Sequence, residues 1–281
     1  MIKLKFAHCT DTGRVRTHNE DSVVVDAELG LALIADGMGG HNAGEVASKM
    51  AAKLISTLVA AYGATHGLAA LHSAAKRQHL LRHAIQLANA RIFSAAQKNA
   101  AYSGMGSTLA LILFSQDQVT IAHIGDSRAY RLRDGKLEQL TQDHTLVQRQ
   151  LRSGVLTNEH INKADNQHWL TRALGVMPEV AADMREEKLQ ADDRYLLCSD
   201  GLSDHVPMLK IQAILSQSDV TPSEQCRLLI AAANQHNGDD NISLIQVHVT
   251  EHRSYWLDSL ARAKLLITSL QKGAKLPFAK Y

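Results

Sequence analysis

Three apolar runs that each end on an aspartate beside a glycine constrain this chain more than anything else in it. The run 31–35 passes into Asp36-Gly37-Met38-Gly39-Gly40, the run 119–124 into Gly125-Asp126-Ser127, and the run 194–198 into Ser199-Asp200-Gly201. Short apolar runs bounded by glycine read as buried strands, so each places a carboxylate where a strand ends and the backbone turns. A fourth, Asp240, stands immediately before the run 242–249. Any one of these is accounted for by the ordinary use of Asp in turns. The set is not: strand ends meeting at one sheet edge would crowd four carboxylates that cannot all ionise without cations. Hard divalent ions take such oxygen sets.

The remaining pattern groups its elements rather than alternating them. Residues 3–10, 22–26 and 31–35 read as strands, the last two joined as a hairpin across 27–30. Val46, Met50, Leu54, Ile55 and Leu58 recur at helical spacing, as do Leu81, Ile85, Ala88 and Ile92, predicting two long helices joined through 63–72. Strand character returns over 107–114, 119–124 and 128–131, with Asp134-Gly135 as a tight turn before 137–140. Residues 145–166 are polar with no strand signal, an excursion from the sheet. A strand at 194–198, helices at 209–215 and 224–235 and a strand at 242–249 follow. This order predicts an α+β layered fold with antiparallel sheets, not repeated βαβ units.

Composition removes several classes. The chain has 281 residues, 45% hydrophobic and 21% charged, with a net charge of +2, so neither nucleic acid nor an anionic membrane is advertised. Cys9, Cys198 and Cys226 are odd in number and widely spaced, which fits a reducing cytoplasm. No window is apolar for long enough to span a bilayer. Residues 251–281 change character: Trp256, Leu257, Leu260 and Leu265 could form one apolar helix face ahead of a basic tail.

Seven short motifs occur in order: Arg16-Thr17-His18-Asn19-Glu20-Asp21, Asp36-Gly37-Met38-Gly39-Gly40, Gly104-Met105-Gly106-Ser107-Thr108, Gly125-Asp126-Ser127-Arg128, Thr171-Arg172-Ala173-Leu174-Gly175, Ser199-Asp200-Gly201-Leu202 and Asp240-Asn241-Ile242-Ser243. Together they resemble the bacterial branch of the metal-dependent protein phosphatases (type 2C, the PPM family), from the N-terminus to about residue 249. The resemblance implies a four-layer α-β-β-α sandwich with two central antiparallel β-sheets. It implies a catalytic domain over 1–250 with a flap at about 145–166, and leaves 251–281 as a helical extension with a basic tail.

The resemblance also implies roles, position by position. Asp36 matches the carboxylate that bridges two Mg²⁺ or Mn²⁺ ions, and the Gly37 carbonyl a ligand of one of them. Asp200 and Asp240 match ligands of the other. Glu20 and Asp21 match acidic residues that hold metal-bound waters, and Asp126 with Asp200 a third, weaker metal site. Arg16 matches the arginine that grips the substrate phosphate, a planar fork that Lys could not reproduce. Animal members carry a histidine directly after the Asp-Gly pair; this chain has Met38 there, so no general acid is assigned. Asp239 beside Asp240 is ambiguous by one position, and the Asp-Asn-Ile-Ser match favours Asp240.

The expected activity is hydrolysis of phosphoserine and phosphothreonine esters in phosphorylated proteins, by a monomeric cytoplasmic enzyme opposing a serine/threonine kinase. The alternative is a regulatory pseudophosphatase that binds phosphoproteins, against which the intact acidic set argues. A metal-dependent phosphodiesterase or nuclease ranks last, because an aromatic content of 4% offers no stacking groove. His79 and His83 stand at i, i+4 on a predicted helix but lack a third ligand, and read as a solvated face.

Overall fold

The computed structural model describes residues 2–40, 43–154 and 169–252. Two five-stranded sheets carry the fold. One runs β1 (Ile2–Asp11), β12 (Ile242–His252), β11 (Arg194–Cys198), β8 (Arg128–Arg133), β9 (Lys136–Gln139). The other runs β10 (Asp183–Lys188), β7 (Gln118–Ile124), β6 (Leu109–Phe114), β3 (Leu31–Ala35), β2 (Ser22–Asp26). Every strand pairing is antiparallel. A two-stranded ladder of β4 (Gly37–Met38) and β5 (Gly106–Ser107) sits at the edge of the second sheet's carboxylate turn.

The strands are apolar on both faces because both faces are covered. In β3, Leu31, Leu33 and Ala35 face the long helices α1 (Ala43–His66) and α2 (Ala74–Lys98), while Ala32 and Ile34 face the opposite sheet. β12 divides in the same way: Ile242 and Leu244 pack toward α4 (Asp200–Ser203), α5 (Met208–Leu215) and α6 (Pro222–Gln235), and Ile245, Val247 and Val249 pack between the sheets. Three apolar layers therefore separate four layers of secondary structure, the expected α-β-β-α sandwich. Each fully buried Leu or Ile contributes about 1.5–3 kcal/mol relative to exposure, so the inter-sheet layer holds the two halves in fixed register.

Three features differ from the sequence reading. α1 runs through Gly63, which is buried against Leu29, and the connection to α2 shortens to a 3₁₀ turn at Leu68–His72. β10 carries no apolar periodicity, because it is an edge strand fastened by charge. Glu186 accepts from the fully buried Arg77 at 2.7 Å, and Glu187 from Arg131 at 2.8 Å. The third is α4, a single turn that begins directly after Ser199. The start of the excursion forms a short helix α3 (Leu146–Arg152), N-capped by Thr145. Most of the expected flap (155–168) and the extension (253–281) lie outside the described residues.

Candidate metal centre

Asp36 closes β3 and Asp126 follows β7 in one sheet, whereas Asp200 follows β11 and Asp240 precedes β12 in the other. Adjacent antiparallel strands brought face to face put all four at one edge of the sandwich. There a cavity of about 510 Å³ is lined by Arg16, Glu20, Asp36, Gly37, Asp126, Asp200 and Asp240, with Thr108, Asn241, Trp169 and Leu170 completing the wall. Asp21 lies behind this wall, its Oδ2 accepting from Ser199 Oγ at 2.9 Å.

Local hydrogen bonds explain why these turns hold still. The Asp36 amide donates to Thr108 Oγ1 (3.0 Å), the Thr108 amide donates back to the Asp36 carbonyl (2.8 Å), and Thr108 Oγ1 meets Ser127 Oγ at 2.7 Å. Asn241 fastens the N-terminal loop: its Nδ2 donates to the carbonyls of Thr12 and His18 at 2.9 Å, and its Oδ1 accepts from the Glu20 amide at 2.8 Å. Gly37 is required by space. A Cβ there would lie 2.1 Å from the Gly44 carbonyl oxygen and 2.7 Å from that of Glu20, so α1 and the loop close directly on the turn.

The carboxylates are held where they repel. Burial first, then Asp21, Asp200, Asp126 and Asp240, push the Asp36 carboxyl well above the usual range. Burial, then Asp126, Asp204, Asp240 and Asp21, do the same to Asp200. Burial and Asp143 raise Asp126 to about 7, and burial raises Asp21 to about 6. Glu20 is raised mainly by burial. The buried Oδ1 atoms of Asp21 and Asp200 have no hydrogen-bond partner, although buried polar atoms are otherwise almost always paired. Crowded, partnerless, all-oxygen donors fit hard divalent cations and fit nothing neutral.

The geometry separates neighbours that the sequence could not. Asp239 turns away to His205 Nε2 at 2.8 Å, leaving Asp240 to face the cavity. Arg16 reaches the rim, where its Nη2 donates to Asp240 Oδ2 at 2.9 Å and its Nε to the Asp239 carbonyl at 3.2 Å. Met38 lines the wall and has no proton to give. The sequence reading missed Trp169 and Leu170, which carry no motif of charge or spacing. Asn241 and Thr108 were inside quoted motifs but gain their roles only from the loop crossings above.

Among the described residues, two other groups contain metal-ligand side chains and are engaged otherwise. His79 and His83 are exposed on α2. Ligand atoms of His123, His144 and Asp183 lie within 4.8 Å of one another. The Arg172 guanidinium already occupies that place, 2.6 Å from Asp183 Oδ1 and 3.2 Å from His144 Nε2. Burial lowers the His144 pKa to about 4, and the neutral ring accepts from the Gly125 amide at 3.2 Å. This group braces the turn that carries Asp126.

The chain resembles known proteins along most of its length. The family model for protein phosphatase 2C matches residues 10–235. A serine/threonine phosphatase, stp, of Listeria monocytogenes is 41% identical over 241 residues, covering 85% of this chain and 93% of that protein. PstP, a serine/threonine protein phosphatase of Mycobacterium tuberculosis, is 39% identical over 252 residues, 89% of this chain and 46% of that protein. A crystal structure of the catalytic domain of PstP in complex with 2 manganese ions superposes with a TM-score of 0.77 at 36% identity, covering 89% of this chain and all of that one.

Proposed function

Because the chain belongs to the protein phosphatase 2C family, a family of metal-dependent serine/threonine protein phosphatases, we propose that the four-aspartate cavity is where it hydrolyses phosphoserine and phosphothreonine esters. One observation carries this assignment: Asp36, Asp126, Asp200, Asp240, Glu20 and Arg16 converge on a single cavity in which Asp36 and Asp200 are buried among other carboxylates. Its cofactors are Mg²⁺ or Mn²⁺ ions. Asp36, with the Gly37 carbonyl, Asp200 and Asp240, would hold two of them, Glu20 and Asp21 would order water around them, and Asp126 with Asp200 could hold a third.

When bound, such ions supply a water acidified toward neutral pH and positive charge against the phosphoryl oxygens. The protein's own part is positioning. Asp36 and Asp200, fixed by strand ends from opposite sheets, set the spacing of the charge, and the Thr108–Ser127 pair keeps the Asp36 backbone from relaxing away. Arg16 exchanges its exposed pairing with Asp240 for the substrate phosphate, which its fork can grip through two donors. In the metal-free protein burial holds the Asp21 and Asp126 carboxyls up at about 6 and 7, and bound cations would favour their charged forms; Met38 has no proton to exchange.

The expected setting extends this reading. We assign the catalytic unit to residues 1–250, the control of substrate access to the flap at 145–166, and the opposing activity to a serine/threonine kinase in the same signalling route. A reducing compartment such as the cytoplasm is supported by three unpaired cysteines, and we take the protein there as a monomer; among the described residues no helix is long and apolar enough to cross a membrane. Replacing the flap by a short linker should change peptide selectivity; unchanged selectivity removes the flap from the proposal. The intact acidic set argues against a pseudophosphatase.

The assay is release of phosphate from a phosphothreonine peptide and from an aryl phosphate, with and without Mn²⁺. Turnover should require the ion and fall by about 10³-fold or more in Asp36→Asn and Asp200→Asn. Metal-independent turnover, or full activity in Asp36→Asn, would overturn the assignment.

A further inference from the structure

A second cavity opens from the wall of the first. It measures about 300 Å³ and shares Met38 and Leu170 with the metal cavity; Ala173, Val176, Met177 and Val180 supply most of its remaining apolar lining. Met38 and Val176 meet over Gly106: a Cβ there would lie 2.6 Å from Met38 Cε and 3.0 Å from Val176 Cγ2. Trp169, Val176 and Met177 are 63%, 46% and 61% exposed, and they are three of the eight exposed large hydrophobic side chains among the described residues. Their clustering at one end of the molecule, beside the acidic cavity, is what a ligand surface shows and scattered surface apolarity does not.

The wall is built, not draped. Leu174 exchanges backbone hydrogen bonds with Ser107 at 2.8 and 3.1 Å. Asn89, buried on α2, accepts from the Gly175 amide at 2.8 Å and donates to the carbonyls of Met177 and Pro178 at 3.0 Å. The one cationic side chain in the lining, Arg172, is already matched by Asp183 at 2.6 Å. Thr171 and Glu179 complete the lining, so the surface offers mainly apolar contact with no cation left to recruit a second phosphate.

Resting on the phosphatase reading, we propose that this side cavity is a specificity subsite that receives an apolar side chain flanking the phosphorylated residue of the substrate. The argument is continuity. A phosphoserine or phosphothreonine in the metal cavity brings its own chain with it, and neighbouring residues lie only ~3.3–3.6 Å apart along an extended segment. A side chain one or two residues from the phosphorylated position thus reaches the lining formed by Met38, Val176 and Met177. Burying part of a Leu side chain there is worth about a tenfold gain in kcat/KM, expressed in KM because the contact is the same before and during reaction.

The test uses the whole chain with saturating Mn²⁺ and phosphothreonine decapeptides that differ only in having Leu or Gly at each of the two positions on either side of the phosphorylated residue. Wild type should prefer Leu at one of these positions by about tenfold in kcat/KM. Val176→Asp should remove the preference by raising KM for the Leu peptide, and Met177→Asp, at a more exposed position, should do the same if Val176→Asp fails to fold. A Leu/Gly ratio near one in wild type, or an unchanged ratio in either folded variant, overturns the subsite. The first of these results is also expected if a segment of this chain itself fills the cavity. Wild-type turnover of an aryl phosphate reports on the metal cavity independently, so loss of that activity refutes the phosphatase assignment and not the subsite.

Discussion

Asp126→Asn isolates the electrostatic stress stored at the site. In the metal-free protein the Asp126 carboxyl titrates at about 7 against 3.8 for an unperturbed aspartate, because burial and then Asp143 and Asp204 oppose its charge. A raised carboxyl means that the native state binds more protons than the unfolded chain between those two values, so stability falls as pH rises through this window. At 1.36 kcal/mol per pH unit the interval amounts to about 4 kcal/mol at pH 8. Protons shared among Asp21, Asp36, Asp126 and Asp200 spread that cost over several groups, so the single substitution should recover about half, ~2 kcal/mol. For a domain of this size the gain raises Tm by about 4–8 °C. The assay is urea and thermal unfolding in EDTA at pH 4.5 and pH 8. Asp126→Asn should exceed wild type clearly at pH 8 and by much less at pH 4.5, where only the start of the interval from 3.8 to about 7 has been crossed. In Mn²⁺ wild type should regain stability in proportion to ligation, by RT ln(1 + [L]/Kd). A variant no more stable than wild type at pH 8 in EDTA would falsify the reading of Asp126 as a carboxylate whose charge is opposed by burial and then by Asp143 and Asp204.

Arg16→Lys keeps the charge but loses the planar fork, and kcat/KM on a phosphopeptide should fall about tenfold or more; stability should move by less than about 1 kcal/mol, since the Asp240 pair is exposed. Gly201→Ala would set a Cβ 2.1 Å from the Asn241 carbonyl oxygen. It should cost about 1–3 kcal/mol in unfolding experiments and weaken Mn²⁺ binding by calorimetry, because Asp200 and Asp240 flank the displaced contact. Arg77→Ala leaves Glu186 without its buried partner, and should lower urea stability by about 3–5 kcal/mol while leaving the metal dependence of turnover in place.

Much of the layering was legible because burial on both faces leaves continuous apolar runs. β2 and β3 fall on the expected residues, and the Asp134-Gly135 turn adopts positive φ at both positions, as a tight hairpin needs. β10 was illegible for the opposite reason: Asp183–Lys188 is charged, and it becomes a strand by pairing along β7, with the distant Arg77 and Arg131 matching its carboxylates. The helix through Gly63 was mistaken for a junction because a glycine reads as a breaker until Leu29 is seen to need the space.

Local pattern was enough to mark which residues could form the centre, because carboxylates at glycine turns after apolar runs can be read without coordinates. It also determined the family, because seven motifs in order are a one-dimensional signature. It took the packed fold to show that Asp36 and Asp126 from one sheet meet Asp200 and Asp240 from the other. The fold alone also shows that Asp239 faces His205 instead, and that Trp169, Val176 and Met177 form an apolar margin beside the acidic cavity. These are contacts between segments tens to hundreds of residues apart, fixed by the register of two packed sheets, and no local spacing encodes them.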